Sequence, residues 1–279
     1  MASALTELFV EEFRLCEIGR GQTVAVLSEG DQLRDYAETS LAAASALGAE
    51  VIDVNLNVEH AVDASERIAN VGKNPLADHP QSLQQCCDAD IVIDHMLLLF
   101  SHEQIAMQKA GARVLLVVEP EEILQRLFPS PALRQRVEAA ERRLANAKRL
   151  RFTNAAGTDV SYELGRKPIL TEYGYTATAG RWDHWPGGFL ATLATDNGVN
   201  GRVVMDVEDI IYPLKRFVRS PIEFIIKDGA VIEINGGADA DELKAFIATY
   251  DDPRAFAISH IGWGLNQGCE WSVELPGIG

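Results

Sequence analysis

Residues 90–118, DIVIDHMLLLFSHEQIAMQKAGARVLLVV, decide the fold. Asp90–Asp94 (DIVID) and Arg113–Val118 (RVLLVV) read as buried strands. Ser101–Lys109 between them reads as a helix, with Ser101 at the N-cap and Gln104 at the capping-box position. A strand, a helix and a second strand in so short a span imply parallel pairing. Working outward, Thr23–Leu27 (TVAVL) and Val51–Leu56 supply two more strands. An Ala-rich helix, Asp31–Leu47, lies between those two and is closed by Gly48; a helix with apolar spacing, Thr6–Ile18, precedes them. The strands are near-continuous apolar runs, as expected where helices cover both faces of a sheet. Residues 1–150 therefore read as an α/β domain built on a parallel sheet.

The charged helix Ser130–Lys148 bridges to a half of different texture. Arg149–Thr153, Val160–Glu163, Phe189–Leu193, Arg202–Asp206, Ile222–Lys227 and Val231–Ile234 read as strands, with a hairpin signal at Asp228-Gly229. Asp239–Tyr250 reads as a short helix. Residues 151–279 form an α+β domain in this reading, and the chain stops as if in mid-domain at Gly279.

The chain has 279 residues, a formal charge of −16 and 47% hydrophobic content. That is enough for two domains with a sizeable core. So acidic a chain is a poor partner for nucleic acid, which needs a basic face; Arg142-Arg143 and Lys215-Arg216 read as solvated faces. The N-terminus lacks the basic, unbroken apolar pattern of a signal peptide, and no run of about 18 apolar residues predicts a membrane span. Cys16, Cys86, Cys87 and Cys269 have neither zinc nor CxxC spacing, so reduced thiols in a cytoplasmic protein are expected. There is no G-x-G-x-x-G after the first strand and no G-x-x-x-x-G-K-[ST], so neither a dinucleotide nor ATP is assigned.

Chemistry concentrates in Thr171–Phe189, TEYGYTATAGRWDHWPGGF. Aromatic, cationic, anionic and imidazole side chains crowd between glycines, as they do on loops that bind or catalyse. His184 can exchange a proton near neutral pH. Arg181 can clamp an anion, and Trp182 and Trp185 can sandwich a planar ring. Glu172, Tyr173 and Tyr175 offer an acceptor and hydroxyl donors. The competing account is a core histidine with tryptophan filler and a strand end with alternating aromatics. His260, after the apolar run Ala255–Ile258 and before Gly262-Trp263-Gly264, is placed to hold a metal at a strand end. No H-x-D, H-x-E or H-E-x-x-H completes a ligand set. His60, His79 and His95 show no useful clustering, and His102 at a helix start reads as exposed and structural. Asp206, Glu208 and Asp209 could pair on a metal, or simply form a solvated strand end.

Four stretches carry a family resemblance: Val114–Leu124, Glu172-Tyr173-Gly174-Tyr175, Gly180–Phe189 and Ile258–Leu265 (ISHIGWGL). Through them the chain resembles the 2,5-dihydroxypyridine 5,6-dioxygenases over nearly its whole length. That family is related in fold to the thermophilic-type metallo-aminopeptidases. The resemblance implies an Fe(II)-dependent, extradiol-like enzyme of nicotinate or nicotine breakdown. It would open a hydroxylated pyridine with O2 to give N-formylmaleamate. It implies His260 as an iron ligand and matches His184 and Glu172 to residues lining the substrate pocket. The expectation is therefore His184 and Glu172 as catalytic residues, with a substrate wall of Phe100, Tyr173, Tyr175, Arg181, Asp183, Trp185 and Trp263. The resemblance further implies a homo-oligomer. In the family the other two iron ligands form a His-x-Asp pair, which would fall past Gly279, and a proton-transferring histidine stands where this chain has Phe100. A shortened chain or altered metal chemistry is therefore expected, with His102 or His184 taking over proton transfer. The alternatives are a metal-dependent hydrolase of the aminopeptidase superfamily and an inactive shortened homologue.

Overall fold

The computed structural model describes residues 3–56, 71–214 and 216–271. His60, Lys215 and residues 272–279 lie outside the described residues. Residues 90–118 fold as expected. The strand β3 (Ile91–Asp94) runs to the helix α4 (His102–Ala110) and on to β4 (Arg113–Val117). Ser101 Oγ accepts from the Gln104 N–H at 3.0 Å, and Gly111, with φ 102°, closes the helix. The Gln104 side chain departs from a capping box. Its Oε1 accepts from the N–H of Phe100 rather than that of Ser101.

Ahead of these lie α1 (Ala4–Leu15), β1 (Thr23–Glu29), α2 (Arg34–Ala46), β2 (Glu50–Leu56) and α3 (Pro80–Asp88). The parallel sheet has the order β2-β1-β3-β4-β8, and β8 is Trp182–Trp185. The sheet therefore draws its fifth strand from beyond residue 150. Phe9 and Phe13 of α1, Tyr36 of α2 and Leu133 of α6 (Pro131–Ala145) cover one face, packing on Val26, Leu115 and Trp185. Cys86 of α3 and Met107 of α4 cover the other, with Leu27, Leu116 and Trp182. Coverage on both faces is what the unbroken apolar strands require.

The remaining chain is mainly antiparallel. Between β4 and α6 lies the short helix α5 (Glu121–Arg126). β5 (Arg149–Thr153), β6 (Asp159–Glu163), β10 (Val199–Met205), β13 (Ile222–Lys227) and β14 (Ala230–Gly236) make one sheet, with α7 (Ala238–Ala248) packed on its last two strands. Asp228 and Gly229 turn β13 into β14 with φ 50° and 77°, the left-handed pair a two-residue hairpin needs. β7 (Ile169–Glu172), β9 (Phe189–Thr192) and β15 (Ile261–Gly264) form a third sheet. β11 (Ile210–Ile211) and β12 (Arg216–Phe217) pair briefly. Short apolar pieces such as β7, β8 and β15 are too brief for sequence periodicity to separate from loops.

Candidate active site

Trp182-Asp183-His184-Trp185 is a strand rather than the loop its glycines suggest. It is buried throughout and pairs with β4, Leu116 facing His184 and Val117 facing Trp185. Alternation along the strand sends Asp183 and Trp185 to one face and Trp182 and His184 to the other. The two indoles therefore cannot sandwich one ring. Trp185 is fully buried, 5.1 Å from the Phe9 ring, and its Nε1–H donates to the Leu124 carbonyl. It is core, as are Tyr173 and Tyr175, whose rings meet edge to face at 4.9 Å.

Asp183 is also fully buried and serves as a fastener. Its Oδ1 accepts from the N–H groups of Tyr173, Gly174 and His184; its Oδ2 accepts from Arg181 Nε and Nη2 at 2.9 and 2.6 Å. Arg181 Nη2 also donates to the Thr171 carbonyl, and the guanidinium lies 3.9 Å from the Tyr173 ring centroid. The fork expected to clamp a substrate anion is thus committed to holding β7, its following turn and β8 together. The glycines serve the same end. A Cβ on Gly187 would sit 2.1 Å from the Gly174 nitrogen, so the close approach they allow is of backbone to backbone.

On the opposite face His184 is 3% exposed. Its Nε2 lies 3.5 Å from Glu119 Oε1 and its Nδ1 lies 3.6 Å from Glu172 Oε2. Glu119 and Glu172 are themselves buried. The elements explain the meeting. Glu119 comes just past the carboxyl end of β4, Glu172 ends β7, and Asp94, in the same row of the sheet as Leu116 and His184, ends β3. Burial depresses the imidazole, but the two glutamates outweigh it and lift it to about 9. Burial lifts the Asp94 carboxyl to about 6, opposed by the N–H groups of Leu98, Met96 and Leu97 and by the His184 charge. Sequence reading missed Glu119 and Asp94. The available signal was an acid at the very end of each apolar strand run.

Beside this cluster opens a cavity of about 530 Å³, lined in part by Phe100, Arg134, Thr171, Tyr173, Arg181 and Trp182. Trp182 joins the two, since it lines the cavity and stacks on His184 at 6.5 Å between centroids. Its indole Nε1 has no hydrogen-bond partner among the described residues. His184 and Glu172 are not among the lining residues. Phe100 is 58% exposed at the cavity wall and held at φ 62°. It is fixed by a ladder of amides: Phe100 N–H to Gln104, Gln104 Nε2 to Gln108, and Gln108 Nε2 to the Gly180 carbonyl.

His260 and Trp263 lie elsewhere. His260 is exposed and precedes β15 instead of ending a strand, because Pro253–Phe256 is a 3-10 turn; its Nδ1 is 3.4 Å from Ser259 Oγ. Glu172 shares a row with Phe189 and Gly264. His260 is four residues beyond that row, roughly 13 Å at ~3.3 Å per residue. Trp263 lines a separate cavity with Arg143, Leu144 and Leu150. Among the described residues no group of three His, Cys, Asp or Glu side chains is arranged to hold a metal ion. Asp206 and Asp209 spend carboxylate oxygens on backbone N–H groups of their own exposed turn. His102 is exposed at the start of α4. No helix among the described residues is long and apolar enough to cross a membrane.

Comparison with known proteins agrees with this architecture. The sequence pattern of the NicX family, 2,5-dihydroxypyridine 5,6-dioxygenase, matches residues 4–275. The 2,5-dihydroxypyridine 5,6-dioxygenase of Pseudomonas putida KT2440 is 37% identical over 271 residues, covering 96% of this chain and 77% of its own length. The solved structure of the 2,5-dihydroxypyridine dioxygenase from that organism superposes with a TM-score of 0.90 over 97% of this chain and 79% of that one. AmpT from Thermus thermophilus, 14% identical, superposes with a TM-score of 0.60 over 93% of this chain and 77% of its own, a likeness of fold that accords with the expected aminopeptidase-type architecture. The chain belongs to the 2,5-dihydroxypyridine 5,6-dioxygenase family.

Proposed function

We propose that this chain is a ring-opening dioxygenase that converts 2,5-dihydroxypyridine and O2 to N-formylmaleamate. The observation that carries the reading is His184, buried between Glu119 and Glu172 beside an aromatic-walled cavity, in a chain of this family. Both oxygen atoms enter the ring, the bond between ring carbons 5 and 6 breaks, and nothing leaves. With an imidazole lifted to about 9, His184 enters the reaction as a cation. It therefore suits stabilising a ring oxygen that has lost its proton, or donating a proton to an oxygen that gains charge. It is a poor base at neutral pH. The Trp182 indole N–H is a second donor on the same face, and Phe100 supplies apolar wall.

Fe(II) belongs to this proposal, with His260 as one ligand; its chemistry would be to bring the ring hydroxyl and O2 together. The described residues do not by themselves make an iron site, since His260 stands apart from the Glu172 row and no three-donor group is present among them. A cytoplasmic homo-oligomer acting in N-heteroaromatic breakdown completes the proposal and rests on the family resemblance.

The test is O2 uptake and loss of ring absorbance when the anaerobically iron-loaded protein meets 2,5-dihydroxypyridine. One O2 per ring supports the proposal. A loaded protein that leaves the ring intact overturns it. Hydrolysis of the aminopeptidase kind finds no support in the Asp206–Asp209 turn, whose carboxylates face backbone.

A further inference from the structure

We infer that Glu119 is a positioning residue which, together with Glu172, fixes His184 as a doubly protonated imidazolium. The inference deepens the proposed dioxygenase reading, yet it can be tested without it. A neutral imidazole has one N–H donor and one lone pair. Here both ring nitrogens face a carboxylate oxygen, at 3.5 and 3.6 Å. A neutral ring would turn its lone pair on one glutamate, acceptor against acceptor, in a buried place. Protonation turns both contacts into charge-assisted ones. At these lengths they are ion-pair contacts rather than tight hydrogen bonds. Nε2 closes no hydrogen bond of normal length among the described residues, so its ion-pair contact with Glu119 is what it has.

The two glutamates favour this state against burial, while Asp183 on the other face is itself pushed up to about 7 by burial. Glu119 follows β4, Glu172 ends β7, Asp94 ends β3 and couples to His184 by charge, and Asp183 adjoins it on β8 with Arg181 as its own counter-ion. Tyr212, before β12, is close enough to Glu119 for that carboxylate to help raise its phenol, after burial. His184 is the cation shared by Glu119 and Glu172. The Glu119 main chain is anchored as well, its carbonyl accepting from the Tyr36 hydroxyl at 3.0 Å. Its carboxylate therefore sits on a fixed backbone just past the carboxyl end of β4. The work divides: Glu172 reaches the Nδ1 side from a third sheet, and Glu119 holds the Nε2 side from the neighbouring strand.

The experiment follows the His184 ring by NMR titration of the full chain, with the signal assigned through His184→Asn. Glu119→Gln keeps the size, removes the charge and offers an amide donor to the imidazole lone pair. It should lower the His184 pKa by roughly 1–3 units, and Glu119→Asp should restore part of the shift. Glu172→Gln should lower it too. The double variant should titrate below the ordinary ~6.5, because burial then acts unopposed. Turnover of 2,5-dihydroxypyridine by Glu119→Gln should lose its alkaline limb at correspondingly lower pH, with kcat affected more than KM. A His184 pKa unchanged in folded Glu119→Gln, as judged by its melting transition, overturns the inference. If Glu119→Gln does not fold, an unchanged pKa in folded Glu119→Met, which also removes the charge, overturns it equally. If the titration shifts and wild type leaves the pyridine intact, the dioxygenase proposal fails and the Glu119 inference stands.

Discussion

His184 and His260 each stand beside a tryptophan and glycines in the sequence, and the fold gives them opposite surroundings. His184 sits on a strand of the parallel sheet, 3% exposed, with a carboxylate beside each ring nitrogen. His260 is exposed ahead of an antiparallel strand, with Ser259 as its near partner. The first environment comes from register. The ends of β3 and β4 in the parallel sheet bring Asp94 and Glu119, and β7 of another sheet brings Glu172. The second comes from a chain segment that has just left a 3-10 turn. Similar local composition thus says little about environment; the row of the sheet on which a residue falls says much more.

The comparison predicts where substitution hurts the fold. Trp185→Ala, on the face opposite His184, empties the space between Phe9 and Phe128. It should cost about 3–5 kcal/mol in urea unfolding. Asp183→Ala should cost about 3 kcal/mol by another route. It strands three backbone N–H groups and the Arg181 fork. If either loses less than about 1 kcal/mol, β8 is not a fastening strand.

The buried imidazole should also leave a mark on stability as pH changes. Its folded pKa, about 9, lies above the ordinary value of 6.5. The folded state therefore holds a proton that the unfolded chain releases. The resulting stabilisation is full below about pH 6.5 and is lost as pH rises through about 9. At 1.36 kcal/mol per unit it is on the order of 3 kcal/mol. Unfolding midpoints at pH 6 and pH 10 should differ by more in wild type than in His184→Gln. Equal differences would remove His184 from the account.

Much of the first half was legible because long apolar runs and a helix cap act locally. Ser101 caps its helix and Asp228-Gly229 makes its hairpin where the sequence places them. Trp182–Trp185 was not legible as a strand. Four residues bounded by glycines carry no period, and the pairing that makes them a strand comes from Val114–Val117, some seventy residues earlier. The candidate site divides in the same way. His184 and Glu172 announce themselves by composition. Glu119 does not, because its importance arises only when β4 lies beside β8. Arg181 and Asp183 looked like ligand-binding groups since, in sequence, a charge carries no sign of the partner it already has.

The smallest effects on stability belong to exposed positions. His260→Ala should move the unfolding free energy by no more than about 0.5 kcal/mol, while abolishing iron-supported turnover if it is the ligand proposed. Phe100→His should be just as mild, because the side chain is 58% exposed. Phe100 also holds φ 62°, a conformation that histidine adopts more readily than phenylalanine. The consequence for chemistry is larger than for folding. Phenylalanine at the cavity wall moves no proton, and His184, held as a cation, is a poor base near neutral pH. A histidine at position 100 would bring a group titrating near ~6.5 to the cavity wall. Turnover of 2,5-dihydroxypyridine should then rise and gain an acid limb centred near that pH, absent from wild type. An unchanged pH profile in a folded Phe100→His variant would show that proton transfer does not pass through this wall.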